Sequence, residues 1–181
     1  MGFHHVAIAT SDVATNHAFY TEAMGFELVK VEMAPSPEGG WAKHLFYDTG
    51  GGGLIAFWEL HLEGRTGPTP TALSRDLGLP EWVNHIAFDA PDAGALDAAR
   101  KRWLDLGIDV IEVDHGFCRS IYALDPGGTL VEWCVDVRAL DDADRRQALE
   151  RLALTEPDEL DPAPEPVFHR GDRSLRPAWL R

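Results

Sequence analysis

The chain repeats itself, and that repeat limits its fold more than any other feature. His5-Val-Ala-Ile followed by Asp12 recurs as His85-Ile-Ala-Phe followed by Asp92, at an offset of 80. The run Phe3 to Thr10 alternates and is rich in branched residues, which predicts a strand with Val6 and Ile8 on one face and His5, Ala7 and Ala9 on the other. A helical stripe follows in each copy: Val13, His17, Tyr20, Met24 before Gly25, and Leu96, Ala99, Trp103, Leu106 before Gly107. Glycine there supplies the left-handed residue that ends a helix. Three strands are expected next, Phe26 to Met33, Ala42 to Asp48 and Leu54 to Leu60 in the first copy. The second copy offers Ile108 to Val113, Arg119 to Leu124 and Thr129 to Val135. Tyr47, Gly52, Gly53 and Trp58 match Tyr122, Gly127, Gly128 and Trp133 at an offset of 75. Matches in one unbroken order imply an internal duplication of a βαβββ unit.

The expected fold class is therefore α+β, two tandem βαβββ modules. The first module covers residues 1–63, a linker rich in Pro, Thr and Gly covers 64–80, and the second module covers 81–137. Residues 138–181 are a C-terminal helix and irregular tail. Within that tail Leu140 to Leu154 reads as a surface helix, and Thr155 to Pro166 as an acidic, proline-rich strap without regular structure. The basic stretch Phe168 to Arg181, with Trp179, is expected to pack back on the body or on a neighbouring subunit.

Composition removes several function classes. The formal net charge of −14 argues against a nucleic-acid partner, because phosphate binding needs a cationic face. No apolar run approaches the roughly 20 residues that cross a bilayer, so no membrane association is expected, and Met1-Gly2-Phe3-His4 does not read as a signal peptide. Cys118 and Cys134 give neither zinc spacing nor a disulfide framework, which makes a reducing cytoplasmic setting the expectation.

The chemistry concentrates on the last hairpin. Asp125-Pro126-Gly127-Gly128 is a turn signal between two short strands, and centring the hairpin on Gly127 sets Tyr122 directly opposite Glu132. Glu132 lies between Val131 and Trp133, with Leu130 and Cys134 on its own face. An ionised carboxylate in such surroundings needs a partner or a metal. Aligning the copies supplies companions: His5 and His85 open equivalent strands on equivalent faces. His4 aligns with Asn84 and alternates to the other face. By the offset of 75 the counterpart of Glu132 is Phe57, so a fourth ligand position is apolar. Two imidazoles and one carboxylate, His5, His85 and Glu132, leave several coordination positions open. That set suits Fe(II) and oxygen chemistry, while Mn(II) and Zn(II) accept the same ligands.

The residues His5-Val-Ala-Ile, Ala18-Phe19-Tyr20, Met24-Gly25-Phe26, His85-Ile-Ala-Phe and Tyr122-Ala-Leu-Asp-Pro-Gly-Gly-Thr-Leu-Val-Glu132 resemble the vicinal oxygen chelate superfamily. That superfamily includes glyoxalase I, bleomycin-resistance proteins, epimerases and type I extradiol dioxygenases. The resemblance spans roughly residues 3–137. It implies that the paired modules curl into an open, cup-like mixed sheet around a divalent metal, where substrates chelate through two adjacent oxygens. The triad His5, His85 and Glu132 in one chain is similar to the one-domain extradiol dioxygenases, which implies Fe(II), dioxygen and a small aromatic, catechol-like vicinal diol as substrate. Tyr122 lies where such dioxygenases carry a tyrosine that hydrogen-bonds a catecholate oxygen.

The acid/base histidine of those dioxygenases falls near Gly51 and Gly52 here, so His44, His61 or His115 must substitute; His115, on the approach to the hairpin, is the candidate. Phe57, Trp58, Trp133 or Phe117 would line the cavity. Two other readings remain open. One is a glyoxalase-like metal-dependent lyase or isomerase with Glu59, two residues beyond Phe57, as fourth ligand and base. The other is a metal-free small-molecule binding or resistance protein. A homodimer is compatible with paired modules.

Overall fold

The computed structural model describes residues 2–157 and 159–181. The first copy contains β1 (His5–Thr10), α1 (Val13–Ala18), β2 (Glu27–Pro35), β3 (Trp41–Asp48) and β4 (Leu54–His61). The second contains β5 (His85–Asp89), α2 (Ala93–Asp105), β6 (Val110–Asp114), β7 (Cys118–Leu124) and β8 (Leu130–Asp136). Each copy makes its own sheet, in the orders β1-β4-β3-β2 and β5-β8-β7-β6, and β9 (Val167–His169) adds to the free side of β6. In both sheets the opening strand runs parallel to the last one and the remaining pairs are antiparallel, so the fold is α+β with two open mixed sheets.

Local chemistry fixes the helices. Asp12 accepts from Thr15 N at 3.0 Å and Asp92 from Ala95 N at 2.8 Å, each satisfying an amide that the first helical turn leaves free. The first helix is regular only to Ala18 and widens into a π-turn over Phe19–Ala23, which carries buried Phe19, Tyr20 and Ala23. Gly25 and Gly107 then take positive φ, 79° and 69°, where the chain leaves each helix.

The two copies share one core. It holds Phe19, Tyr20 and Met24 with Leu45, Tyr47, Ile55 and Phe57 from the first copy, and Phe88, Trp103, Ile121, Val131 and Val135 from the second. Side chains bridge the halves directly: Trp103 Nε1 donates to Ala23 O at 3.1 Å, and Phe26 meets Phe88 and Trp133 with ring centres 4.9 and 5.6 Å apart. Tyr20 donates to Asp125 Oδ2 at 3.0 Å, while Asp125 Oδ1 accepts from Thr129 N at 2.8 Å at the mouth of the last hairpin. Burial pushes the Asp125 carboxyl up to about 6 despite those donors. By register, the strand residues of this core all lie on one face of their sheet. The opposite faces, carrying His5 and His85, lie outside the joint.

Register corrects one part of the internal alignment. His5 pairs with Leu54 and His85 with Leu130, so the last strands are related by an offset of 76, not 75. Strand side chains alternate, so a slip of one residue exchanges faces. Ala56, opposite Ala7 and Phe46, is the counterpart of Glu132, opposite Ala87 and Tyr122. Phe57 belongs to the core face, where its ring lies 4.4 Å from that of Tyr20.

After β8 the chain forms α3 (Asp142–Leu152), closed at its start by a capping box between Asp141 and Asp144 and without a buried residue. The following strap includes Asp158, which lies outside the described residues; its described remainder carries no regular element. The C-terminal stretch does pack back on the body. Phe168 lies opposite Ile111, and Trp179 Nε1 donates to Glu22 Oε2 at 2.9 Å beside the ring of Phe19.

Candidate metal site

Alternation along β5 and β8 points His85, Glu132 and Tyr122 to one face of the second sheet, with Glu132 directly opposite both Ala87 and Tyr122. Glu132 is 5% exposed. His85 Nε2 lies 3.2 Å from Glu132 Oε2. The other ring nitrogen, His85 Nδ1, is 3.2 Å from Trp82 O, an interaction in which the ring must donate. In a neutral imidazole Nε2 is then an acceptor facing the carboxylate, and two acceptors so close are held together only by a proton or a cation. Donors each about 2.1 Å from one metal ion stand roughly 3.0–3.4 Å apart. A histidine that donates its far N–H to a backbone carbonyl is also the usual arrangement of a metal-binding imidazole.

His5 occupies the equivalent place on the first sheet, and there it stands without a carboxylate. Its Nδ1 is 2.8 Å from His4 Nδ1, and its ring lies 5.7 Å from Phe46 and 6.3 Å from His44. Among the described residues no three His, Cys, Asp or Glu side chains come together as a metal-binding group. The structure thus brings His85 and Glu132 together and does not bring His5 to them within a single chain. The reason is the joint between the copies, which uses the opposite faces of both sheets.

His115, exposed in the loop between β6 and β7, is linked to Tyr122: its Nε2 lies 2.9 Å from the phenol oxygen. Burial raises the Tyr122 pKa, and the neighbouring Glu132 charge adds to the effect, so the phenol stays protonated and acts as a donor. The His85 and Tyr122 rings stand edge to face with centres 6.1 Å apart.

Several expected lining residues are reassigned by the register. Phe57 and Trp133 belong to the core side, and of the two tryptophans Trp58 alone shares the His5 face. Glu59 has the parity of Phe57, and its oxygens lie 2.8 Å from Lys43 Nζ and 3.3 Å from His61 Nε2, which accounts for its charge without a metal. His44, on β3 opposite Trp58, shares the His5 face. It is 6% exposed, stacks on Trp58 with ring centres 3.6 Å apart, and has no partner for Nε2 among the described residues. Burial lowers its pKa and His5 lowers it further, against an opposing pull from Glu32, which favours the neutral ring. Its place follows only from the register: with the offset at 76, His44 and Phe46 alternate on β3 in step with the His5 face.

Comparison with known proteins adds the following. The model of the Glyoxalase/Bleomycin resistance protein/Dioxygenase superfamily matches residues 2–133. No curated protein matches the chain in sequence. Among solved structures, a glyoxylase/bleomycin resistance protein/dioxygenase domain from Frankia sp. EAN1pec is 17% identical at a TM-score of 0.56, covering 75% of this chain and 98% of its own. A putative dioxygenase from Bacillus subtilis is 21% identical at a TM-score of 0.55, covering 75% of this chain and 40% of its own. A mutant of the fosfomycin resistance protein FosX from Listeria monocytogenes, complexed with Mn(II) and 1S,2S-dihydroxypropylphosphonic acid, is 22% identical at a TM-score of 0.50, covering 82% of this chain and 97% of its own. These similarities extend to the fold. Among the described residues no helix is long and apolar enough to cross a membrane.

Proposed function

Since the chain belongs to the glyoxalase/bleomycin resistance protein/dioxygenase superfamily, we propose that it is a metal-dependent, ring-cleaving extradiol-type dioxygenase acting on a catechol-like vicinal diol. The observation that carries this reading is the His85–Glu132 pair, with Nε2 and Oε2 3.2 Å apart on one face and the imidazole oriented by Trp82 O. That spacing fits a divalent cation. His85 and Glu132 from one copy of the chain and His5 from a second copy would hold it, because the His5 and His85 faces are both left outside the joint within one copy. The homodimer is then a condition of the site and not an accessory to it.

Bound Fe(II) would supply Lewis acidity toward the two diol oxygens and electron exchange with dioxygen. The chain's own groups do the rest. Tyr122 donates its phenol proton to a substrate oxygen and orients the diol. His115, whose Nε2 lies 2.9 Å from that phenol, would take up the proton that a diol hydroxyl gives up on binding and pass it to solvent, a transfer suited to imidazole. Glu132, 5% exposed and on the same face as His85, would supply the carboxylate ligand. The lyase reading loses its fourth ligand, since Glu59 lies on the core face and Ala56 stands opposite Phe46 where that ligand would be.

Oxygen uptake tests the reaction. Protein loaded anaerobically with Fe(II) is expected to consume dioxygen with catechol and to form a coloured ring-opened product. No uptake with any of a panel of catechols, by protein that has bound iron, would remove the dioxygenase reading.

A further inference from the structure

The His5 face of the first sheet carries a hollow that the metal chemistry does not use. A cavity of about 410 Å³ lies over Ala7, Ala9, Ala34 and Ala42, with Trp58 at its side. Register places all of these on the His5 face: Ala7 opposite Ala56, Ala9 opposite Trp58, and Ala34 opposite Ala42. Four methyl groups, two on β1 and one each on β2 and β3, flank the hollow together with Trp58 and Leu60 of the intervening β4, where larger side chains at the alanine positions would have filled the space. The hollow begins one alternation along β1 from His5, so it starts where a molecule held at His5 would extend. Its size suits a small apolar group.

Charge narrows the occupant. Among the strand residues that share the His5 and His85 faces, the one lysine or arginine is Lys30, which pairs with Phe46 in register and lies 3.1 Å from Glu32. Glu32, Asp89, Glu132 and Asp136 share those same faces. An anionic group on the substrate would meet carboxylates and find no free strand cation. Such repulsion at several ångströms amounts to about a tenfold loss in affinity in a partly wet site.

We infer that the hollow selects the substrate: a vicinal diol ring whose far side carries an uncharged, apolar substituent, seated over Ala7, Ala9, Ala34 and Ala42 against Trp58. This rests on the reading that His5 helps hold the metal, and it adds what the site accepts beyond the diol. It also separates this chain from the FosX structure, whose bound molecule is a phosphonic acid.

Calorimetric titration of Mn(II)-loaded protein with three ligands tests it: catechol, 4-tert-butylcatechol and 3,4-dihydroxybenzoate. The expected order is tert-butylcatechol about tenfold tighter than catechol, from the apolar surface buried, and the carboxylate about tenfold weaker. Ala34→Leu, on an exposed position of β2, fills the hollow and should abolish the tert-butyl advantage while leaving catechol and Mn(II) binding unchanged. Ala9→Leu serves as a second filling variant. Glu32→Lys should bring the carboxylate to within about threefold of catechol. Equal affinity for all three ligands, or a tert-butyl advantage that survives both filling variants, overturns the inference while Mn(II) binding stands. Failure of the unaltered protein to bind Mn(II) counts instead against the metal reading.

Discussion

The two sheets are copies with the same strand order, yet their corresponding faces have diverged. On the second sheet the face holds Glu132, Tyr122 and His85, a buried acid with a phenol and an oriented imidazole around it. On the first sheet the same positions hold Ala56, Phe46 and His5, and the neighbours are His44, Trp58 and four alanines. One half carries a buried acid on this face and the other an apolar floor. The comparison teaches that the halves are complementary: each lacks what the other offers, and the joint inside one copy keeps their two faces apart.

Exchanging faces gives the largest effect. Phe57→Ala removes a fully buried ring from the shared core and should cost about 3–5 kcal/mol in urea unfolding, whereas Trp58→Ala on the His5 face should cost under about 2 kcal/mol. Equal costs would mean that the two residues have not been separated by the register. Next comes the acid that one sheet has and the other lacks. Glu132→Ala should weaken Mn(II) binding by at least about a hundredfold, as expected for loss of a ligand, measured by equilibrium dialysis.

A third test addresses the joint that keeps the faces apart. Asp125 has a folded pKa of about 6 against an ordinary value of 3.8, so the folded state takes up a proton before the unfolded one does. This group's contribution is fully present below about pH 4 and is lost as pH rises through 6. Asp125→Asn cannot titrate. Between pH 7 and pH 4 the stability difference should therefore move in favour of the unaltered protein by about 2 kcal/mol, read from urea midpoints at the two pH values. The smallest effect belongs to the other strand acid. Glu59→Gln breaks the Lys43 and His61 contacts and should cost less than about 1 kcal/mol, with Mn(II) affinity unchanged within about twofold.

Much of this arrangement was legible in the amino-acid sequence. The duplication, the strand that opens each copy, the glycine ends of the helices and the pairing of Tyr122 with Glu132 all follow from local patterns, and the structure contains them, with the first strand starting at His5 instead of Phe3. The offset of 75 failed because Tyr47, Trp58, Tyr122 and Trp133 give a tempting aromatic match that ignores which strand lies opposite which. Only the parallel pairing of the opening strand with the last one reveals the true register, and parallel pairing is a long-range contact that no local signal records. The same limit hid the separation of His5 from Glu132. Each face was identified from alternation, but how two sheets meet depends on Tyr20, Phe26 and Trp103, whose stripes say only that they are buried.

Subunit complementation bears most directly on the shared site. His5→Ala and His85→Ala proteins, each expected to have lost tight Mn(II) binding, are unfolded together and refolded as a mixture. If His5 of one copy meets His85 and Glu132 of another, mixed dimers regain one intact site, and the mixture should bind about one Mn(II) tightly per four chains. A mixture that binds no more than either variant alone would contradict a site built between two copies.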